Sequence, residues 1–341
     1  MATIKDIAKA SRVCPATVSN VLNNTRAVHP QTRERVLEAA RLANYRPNAL
    51  ARGLVGKRMN TIGVVFLHRE ADASLDLYFV AILDGVLAQA RRQRQNVTLV
   101  TSGSWDDDAG LLPTLCDGRC DGVLLIVPPV DDSIAPGLKA AGIPCVITGS
   151  RSSDAATASV DVDNVDGACR IVEYLIAQGH RRIAYVSPGL QFTYLQERRE
   201  GYLRALERHG LPTDPQLIRH HPFGPFAMRP QIQALLALPQ AQRPTAIFCA
   251  FDLIALEVVA LLQEQGLQIP NDISVVGFDD VPNTATSIPA LTTVRQPFRE
   301  IGDRAAERLL AEISKRGDDG GRELLPTALV IRASVAPPRQ N

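Results

Sequence analysis

From residue 61 onward the chain alternates short, nearly unbroken Val/Ile/Leu runs with helical stretches, and few folds admit that alternation. The runs fall at 61–67, 97–101, 122–127, 145–148, 183–186, 246–250 and 273–278. Strands with one wet face alternate apolar and polar residues. These do not, which predicts parallel strands buried on both faces. Helical patterns at 78–95, 164–179, 195–209, 252–266 and 297–314 supply the covering layers. A loose internal echo, GIPCVITG at 142–149 against QIPNDISVVG at 268–277, suggests two similar lobes. The body is therefore read as α/β, two doubly wound parallel-sheet lobes.

The first 58 residues are different in kind. They carry eleven Lys/Arg against three acids, a net of +8, while the whole chain is +1 and the remaining 283 residues sum to −7. A near-neutral total thus hides a basic head on an acidic body, and the asymmetry points to a polyanionic partner for the head alone.

Within that head, Thr3 can cap a first helix with Asp6 in the capping-box position, and Ile4, Ile7 and Ala8 form its apolar face. A second helix opens at Pro15, where the missing N–H costs nothing. Val18, Val21 and Leu22 point inward, leaving Ala16, Thr17, Ser19, Asn20 and Asn23 outward. A third helix over 30–44 offers Val36, Leu37, Ala40 and Ala43 to the same small core and ends before Pro47. The pattern is an all-α helix-turn-helix, whose second helix lies in the DNA major groove. The stretch 48–54 is helix-prone but too short to be stable alone, so it is expected to fold only when something orders it.

Several classes are disfavoured. No apolar run reaches the roughly 18 residues of a membrane span, and Met1-Ala-Thr-Ile-Lys-Asp6 is not a signal peptide, so a cytoplasmic protein is expected. The six cysteines then read as reduced thiols, and Cys116 and Cys120 lack a second pair or His to complete a zinc set. Asp161, Asp163, Asp166 and the pair Asp279/Asp280 read better as caps or ligand contacts than as catalytic acids. His220-His221 has no spaced partner and reads as a surface strand or loop. No glycine-rich phosphate loop is present. Neither an enzyme nor a cofactor is expected.

The segments ATVSNVLNN, TRERVLEAA and YRPNALARGL, in register over 3–54, resemble the DNA-binding head of the lactose/galactose repressor family, and the match to its purine-repressor branch needs no gaps. Further landmarks, RRIAYV, RxxGY, PTAIF, GFDD and PALTTVRQP, extend the resemblance over the body, which is similar to periplasmic sugar-binding proteins. The resemblance implies phosphate contacts from Thr17, Ser19, Asn23 and Tyr45, base-facing positions at Pro15, Ala16 and Asn20, and a base-edge contact from Arg26. Ala51 and Leu54 would belong to a hinge helix, with Leu54 wedged between base steps in the minor groove. Two departures stand out: Arg12 sits where the family often has Gly in the turn, and Cys14 replaces the usual serine cap.

The implied organisation is a head at 1–46, a hinge and linker at 47–60, a first lobe from 61–162 plus 296–326, and a second from 163–295 plus 327–341. Ligands of such sheets sit beyond the carboxyl ends of the strands, which gives Tyr78, Phe79, Trp105, Thr148, Arg198, Phe223, Phe251, Asp252 and Asp279. By family position Arg198 and Asp279 are the polar clamp, and Phe79 and Phe223 sandwich a ring. Phe251 and Gly149 replace polar residues common in relatives, so the pocket is less polar than that of a typical hexose binder. The expected protein is a transcriptional regulator, usually a repressor, that binds a palindromic operator as a homodimer and is switched by a small sugar-like or purine-like effector. The alternative is a solute-binding protein that does not bind DNA. The C-terminal APPRQN lacks a leucine-heptad helix, which favours a dimer over a tetramer.

Overall fold

The computed structural model describes residues 2–23, 26–45, 58–67, 77–102, 105, 108–151, 154, 156–221, 228–314 and 320–339. It divides into two compact units, 1–60 and 61–341.

The small unit holds three helices among its described residues: α1 (Ile4–Ser11), α2 (Pro15–Asn23) and α3 (Pro30–Leu42). The capping box at Thr3 forms: its side chain accepts from the Asp6 N–H while the Asp6 carboxylate accepts from the Thr3 N–H at 2.8 Å. Helix α1 stops because Arg12 turns left-handed (φ 52°, ψ 47°), with the next N–H, that of Val13, closing on the Ala8 carbonyl at 3.0 Å. A non-glycine there carries backbone strain. Ile7, Ala8, Val18, Val21, Val36 and Ala40 form the core.

Two expectations fail on α3. Leu37 is 45% exposed and Ala43 is exposed, because the buried stripe runs along Val36 and Ala40, one turn apart, and Leu37 lies about 100° around the helix from Val36. The helix also ends at Leu42 rather than Asn44. Asn44 takes φ 46° and the Tyr45 N–H bonds back to the Ala40 carbonyl at 2.9 Å, so a left-handed cap ends it before the proline does.

The large unit contains β1 (Thr61–Leu67), α4 (Leu77–Arg92), β2 (Asn96–Ser102), α5 (Asp108–Leu115), β3 (Gly122–Ile126), α6 (Ile134–Ala140), β4 (Cys145–Thr148) and β5 (Ala158–Val162). Then come α7 (Asn164–Ala177), β6 (Ile183–Pro188), α8 (Thr193–Arg208), β7 (Ile218–His221), α9 (Arg229–Leu236), β8 (Ala246–Cys249), α10 (Asp252–Glu264) and β9 (Ser274–Val276). It closes with α11 (Asn283–Thr286), β10 (Thr293–Arg295), α12 (Phe298–Ile313), β11 (Arg322–Leu325) and β12 (Ala328–Val330).

The first sheet runs β11-β5-β4-β3-β1-β2 and the second β7-β6-β8-β9, and every pairing within them is parallel. Strands β3 and β4 are buried at every residue, as unbroken apolar runs require, and β5 is buried throughout despite its polar residues, whereas the edge strand β2 is buried nowhere along its length. A further pair, β10 with β12, is antiparallel. Among the described residues the chain crosses three times between the first sheet and the strands of the other two: at 162–164, between β10 and α12, and between β11 and β12. Strands β5, β7, β10, β11 and β12 were not legible as apolar runs; β5 carries Ser159 and Asp161, and the others are short or polar.

Helices α4 and α12 meet at a reciprocal contact. A Cβ on Gly85 would overlap the Arg299 carbonyl, and one on Gly302 would overlap the Ile82 carbonyl. In the second half, buried His180 bonds through Nδ1 to the Thr245 hydroxyl (2.9 Å) and through Nε2 to the Ala336 carbonyl (3.0 Å), tying down the C-terminal segment. Burial pulls its pKa down from 6.5 to about 4. Between those values the unfolded chain binds the extra proton and the folded chain does not, so stability is lost as the pH falls through this window. The melting temperature should therefore decline on acidification from pH 7 to 4.5, and less steeply in His180→Gln. Parallel slopes in the two proteins would remove His180 as the cause.

Candidate functional site

In the small unit, α2 exposes Pro15 and Ala16 to solvent, with Thr17, Ser19 and Asn20 half-buried beside them. Arg26 is exposed, and Tyr45 packs partly on the head core. Cys14 opens the helix through its carbonyl, which accepts from the N–H groups of Thr17 (3.0 Å) and Val18 (3.3 Å). Its thiol lies 3.2 Å from the Thr17 hydroxyl, and hydrogen bonds from Thr17 lower the thiol pKa below its ordinary value. The helix is Asn23 at its last residue; Ala51 and Leu54 lie outside the described residues. The outward face of α2 is short, uncharged and hydrogen-bond capable, suited to direct reading of base edges.

The large unit gathers a second set. Arg198, on α8, is 2% exposed. Its Nε donates to Asn164 Oδ1 (3.0 Å), its Nη1 to the Ala250 carbonyl (2.6 Å), and Nη1 lies 3.3 Å from Asp279 Oδ1. The guanidinium stacks on the Phe278 ring, 3.7 Å from its centroid, with Tyr194 at 5.0 Å. Asp279 also accepts from Gln296 Nε2 at 2.6 Å. Both Asp279 (φ 126°) and Asp280 (φ 59°) hold positive φ, strain that is kept in place by surrounding bonds. Asp280 is anchored to Arg295 and Arg332, each at 2.6 Å.

Asp252 is fully buried, and both carboxylate oxygens are engaged, one by the Thr293 hydroxyl (2.6 Å) and one by the Val281 N–H (3.0 Å). Burial, then the nearby Asp279 charge, push its pKa well above the carboxylate range. It braces the 277–281 turn, where a Cβ on Gly277 would overlap its carboxylate.

On the first-sheet side, Phe79 stacks on Phe66 with ring centroids 3.7 Å apart, and Tyr78 meets Phe298 edge-on at 5.1 Å. Burial raises the Tyr78 pKa, and the charges of Asp161, Asp279 and Arg198 all reach it, so Tyr78 shares its surroundings with the Arg198 pair. Gly149 (φ 65°) lies directly under the Tyr78 hydroxyl, with no room for a Cβ, so the small residue there follows from both backbone and neighbour. Thr148 Oγ1 and Trp105 Nε1 are buried polar atoms with no hydrogen-bond partner among the described residues. Trp105 belongs to a separate apolar cluster with Val65, Leu125 and Ile147, whereas Phe251 packs, half-buried, beside the cluster that contains Phe79. Phe223 lies outside the described residues.

Sequence reasoning missed the residues that wire this set together. Asn164 Nδ2 faces Asp161 Oδ2 (3.2 Å) and Glu197 Oε2 (3.3 Å), and Arg322 bonds both Glu197 (2.5 and 2.7 Å) and Asp161 (2.9 Å). Burial lifts the Asp161 pKa to about 6 against the opposing pull of Arg322. Asp163 is the N-cap of α7, as a cap reading implies. The only hint in the sequence was polarity inside apolar surroundings, which does not name a partner 161 residues away.

A reading helix on one unit and parallel sheets with a buried polar clamp on the other define a DNA-binding regulator with a small-molecule-binding body. Comparisons agree. Residues 3–48 match the profile of bacterial regulatory proteins, lacI family, and 172–335 match a periplasmic binding protein-like domain. The HTH-type transcriptional repressor PurR of Vibrio vulnificus (strain CMCP6) is 33% identical over 338 residues, 98% of this chain and 99% of that one. Catabolite control protein A of Priestia megaterium is 33% identical over 336 residues, covering 98% and 99%. Among solved structures, the lac repressor dimer bound to operator and the anti-inducer ONPF superposes with a TM-score of 0.84 at 29% identity, covering 98% and 99%. The CelR–cellobiose complex gives 0.76 at 29% identity, covering 98% and 100%. The chain belongs to the lacI family of bacterial regulatory proteins. It is a DNA-binding transcriptional regulator rather than an enzyme, and no described helix is long and apolar enough to cross a membrane.

Proposed function

We propose that this protein is a cytoplasmic repressor that binds a palindromic operator as a homodimer, its affinity switched by a small molecule, a sugar or sugar derivative, held between two lobes. The lobes are 61–162 plus 296–326 and 163–295 plus 327–341, with the head at 1–46 and the hinge at 47–60. The observation that carries the effector half is the Arg198–Asp279 pair, a guanidinium fork and a carboxylate flanked by aromatic rings, which suits ring hydroxyls. Support for the dimer comes from the lac repressor structure, solved as a dimer on its operator. Support for a sugar comes from the CelR complex, which holds cellobiose. One head spans half a site, so two-fold pairing supplies both palindromy and affinity.

In this reading Thr17, Ser19, Asn23 and Tyr45 hold phosphates, Pro15, Ala16, Asn20 and Arg26 face bases, and Ala51 and Leu54 enter the minor groove. Tyr78, Phe79, Trp105, Thr148, Phe223 and Phe251 line or support the cleft, with Asp252 bracing the turn that carries Asp279. Ligand changes the lobe angle, shifting DNA affinity by a coupling of about 1–3 kcal/mol.

The test uses a duplex selected from a random-sequence pool by the full-length protein. Leu54→Ala should weaken binding to it roughly tenfold or more while changing affinity for scrambled DNA little. Equal losses on both duplexes would refute the wedge. A thermal-shift screen of sugars, sugar phosphates, nucleosides and bases identifies the effector class, and stabilisation by bases alone would overturn the sugar assignment.

A further inference from the structure

Arg198 stands at a junction that reaches all three places where the chain crosses between the sheets. Through Nε it meets Asn164, the first residue of α7, immediately after the first crossing leaves β5. Through Asp279 it meets Gln296, which lies in the second crossing between β10 and α12. Asn164 in turn touches Asp161 and Glu197, and Arg322 clasps both carboxylates from β11, the strand that leads into the third crossing. The connection is short: one amide on each side separates the charged pair from a crossing. Asn164 and Gln296 are both buried; Asn164 joins the cluster through Oδ1 and Nδ2, and Gln296 through Nε2.

We propose that Asn164 and Gln296 are positioning residues that transmit the state of the Arg198–Asp279 pair to the crossings, and so set DNA affinity. The inference rests on the reading of Arg198 and Asp279 as the effector clamp. A ligand that draws Arg198 or Asp279 toward itself must give or take hydrogen bonds from these two amides. In a low-dielectric interior a lost partner is costly, so the amides follow the pair rather than remain orphaned. Because each amide is fixed to a crossing segment, its displacement is a displacement of the joint between the sheets. Residues with two alternative sets of bonds at such a joint are what a switch needs.

The experiment needs no identified ligand, because loosening the wiring in the free protein should itself shift the DNA equilibrium. Full-length Gln296→Met and Asn164→Leu are compared with the wild type on the selected duplex and on a scrambled one, with melting temperatures recorded. Both variants should change affinity for the selected duplex by about fivefold or more and leave scrambled-duplex affinity unaltered. Gln296→Met keeps side-chain volume and removes the whole amide, so it remains informative if Asn164→Leu does not fold. Unchanged selected-duplex affinity in a folded Gln296→Met protein would overturn the proposal. So would equal loss on both duplexes, which a merely structural role produces. A wild-type protein that selects no sequence at all would instead defeat the DNA-binding regulator on which the proposal stands.

Discussion

Arg198→Ala is expected to abolish the effector response while leaving a folded protein that still binds its selected duplex. The side chain supplies charge-assisted donors to Asn164, the Ala250 carbonyl and Asp279, and its removal strips the Phe278 face of its cation. Bonds of this kind are worth about 1.5–3 kcal/mol each, so a ligand held by the fork should lose on the order of 100-fold in affinity. The buried Asp279 loses its guanidinium partner, and breaking a buried pair costs about 3–5 kcal/mol. A lower melting temperature is therefore part of the expectation. Isothermal titration with the compound found by the thermal-shift screen reads the affinity, and a retained response would remove Arg198 from the site.

Gly302→Val is expected to destabilise the body strongly. The added Cβ would overlap the Ile82 carbonyl oxygen, which is backbone and cannot rotate away, and valine's branch would thicken the clash. Overpacking typically costs about 1–3 kcal/mol when side chains yield, and more when a helix must shift. A loss of about 3 kcal/mol or more, measured by urea unfolding, is the outcome that matches the reciprocal Gly85–Gly302 approach of α4 and α12. Wild-type stability in the variant would mean the helices do not meet there.

The head was the most legible part of the chain. Thr3 and Asp6 made their capping box, Pro15 opened α2, and Val18 and Val21 turned inward, because all of these depend on neighbours within one or two helical turns. The misplacement of Leu37 shows where local reading ends: an apolar residue joins a core only if a partner helix covers its face, and α1 and α2 cover Val36 and Ala40 instead. In the body, the buried strands that are purely apolar were legible, and β5 was not, because Asp161 breaks its pattern to meet an arginine far along the chain.

The site divides the same way. Arg198 and Asp279 were named together from position and family likeness, and the fold pairs them, although Arg198 lies on α8 rather than at a strand end. Asp252 was named with them, yet the fold gives both of its oxygens to Thr293 and Val281. Asn164, Glu197, Gln296 and Arg322 became visible only once the crossings brought distant segments to one point.

Periodicity, charge and end-capping chemistry are properties of neighbouring residues, so the chain itself settled its helices, its apolar parallel strands and the basic character of its head. Pairing across a hundred or more residues has no local trace. Which carboxylate meets which guanidinium, and which glycine a helix leans on, was decided by the packing of the two sheets, where a buried charge must find its partner or not be charged at all.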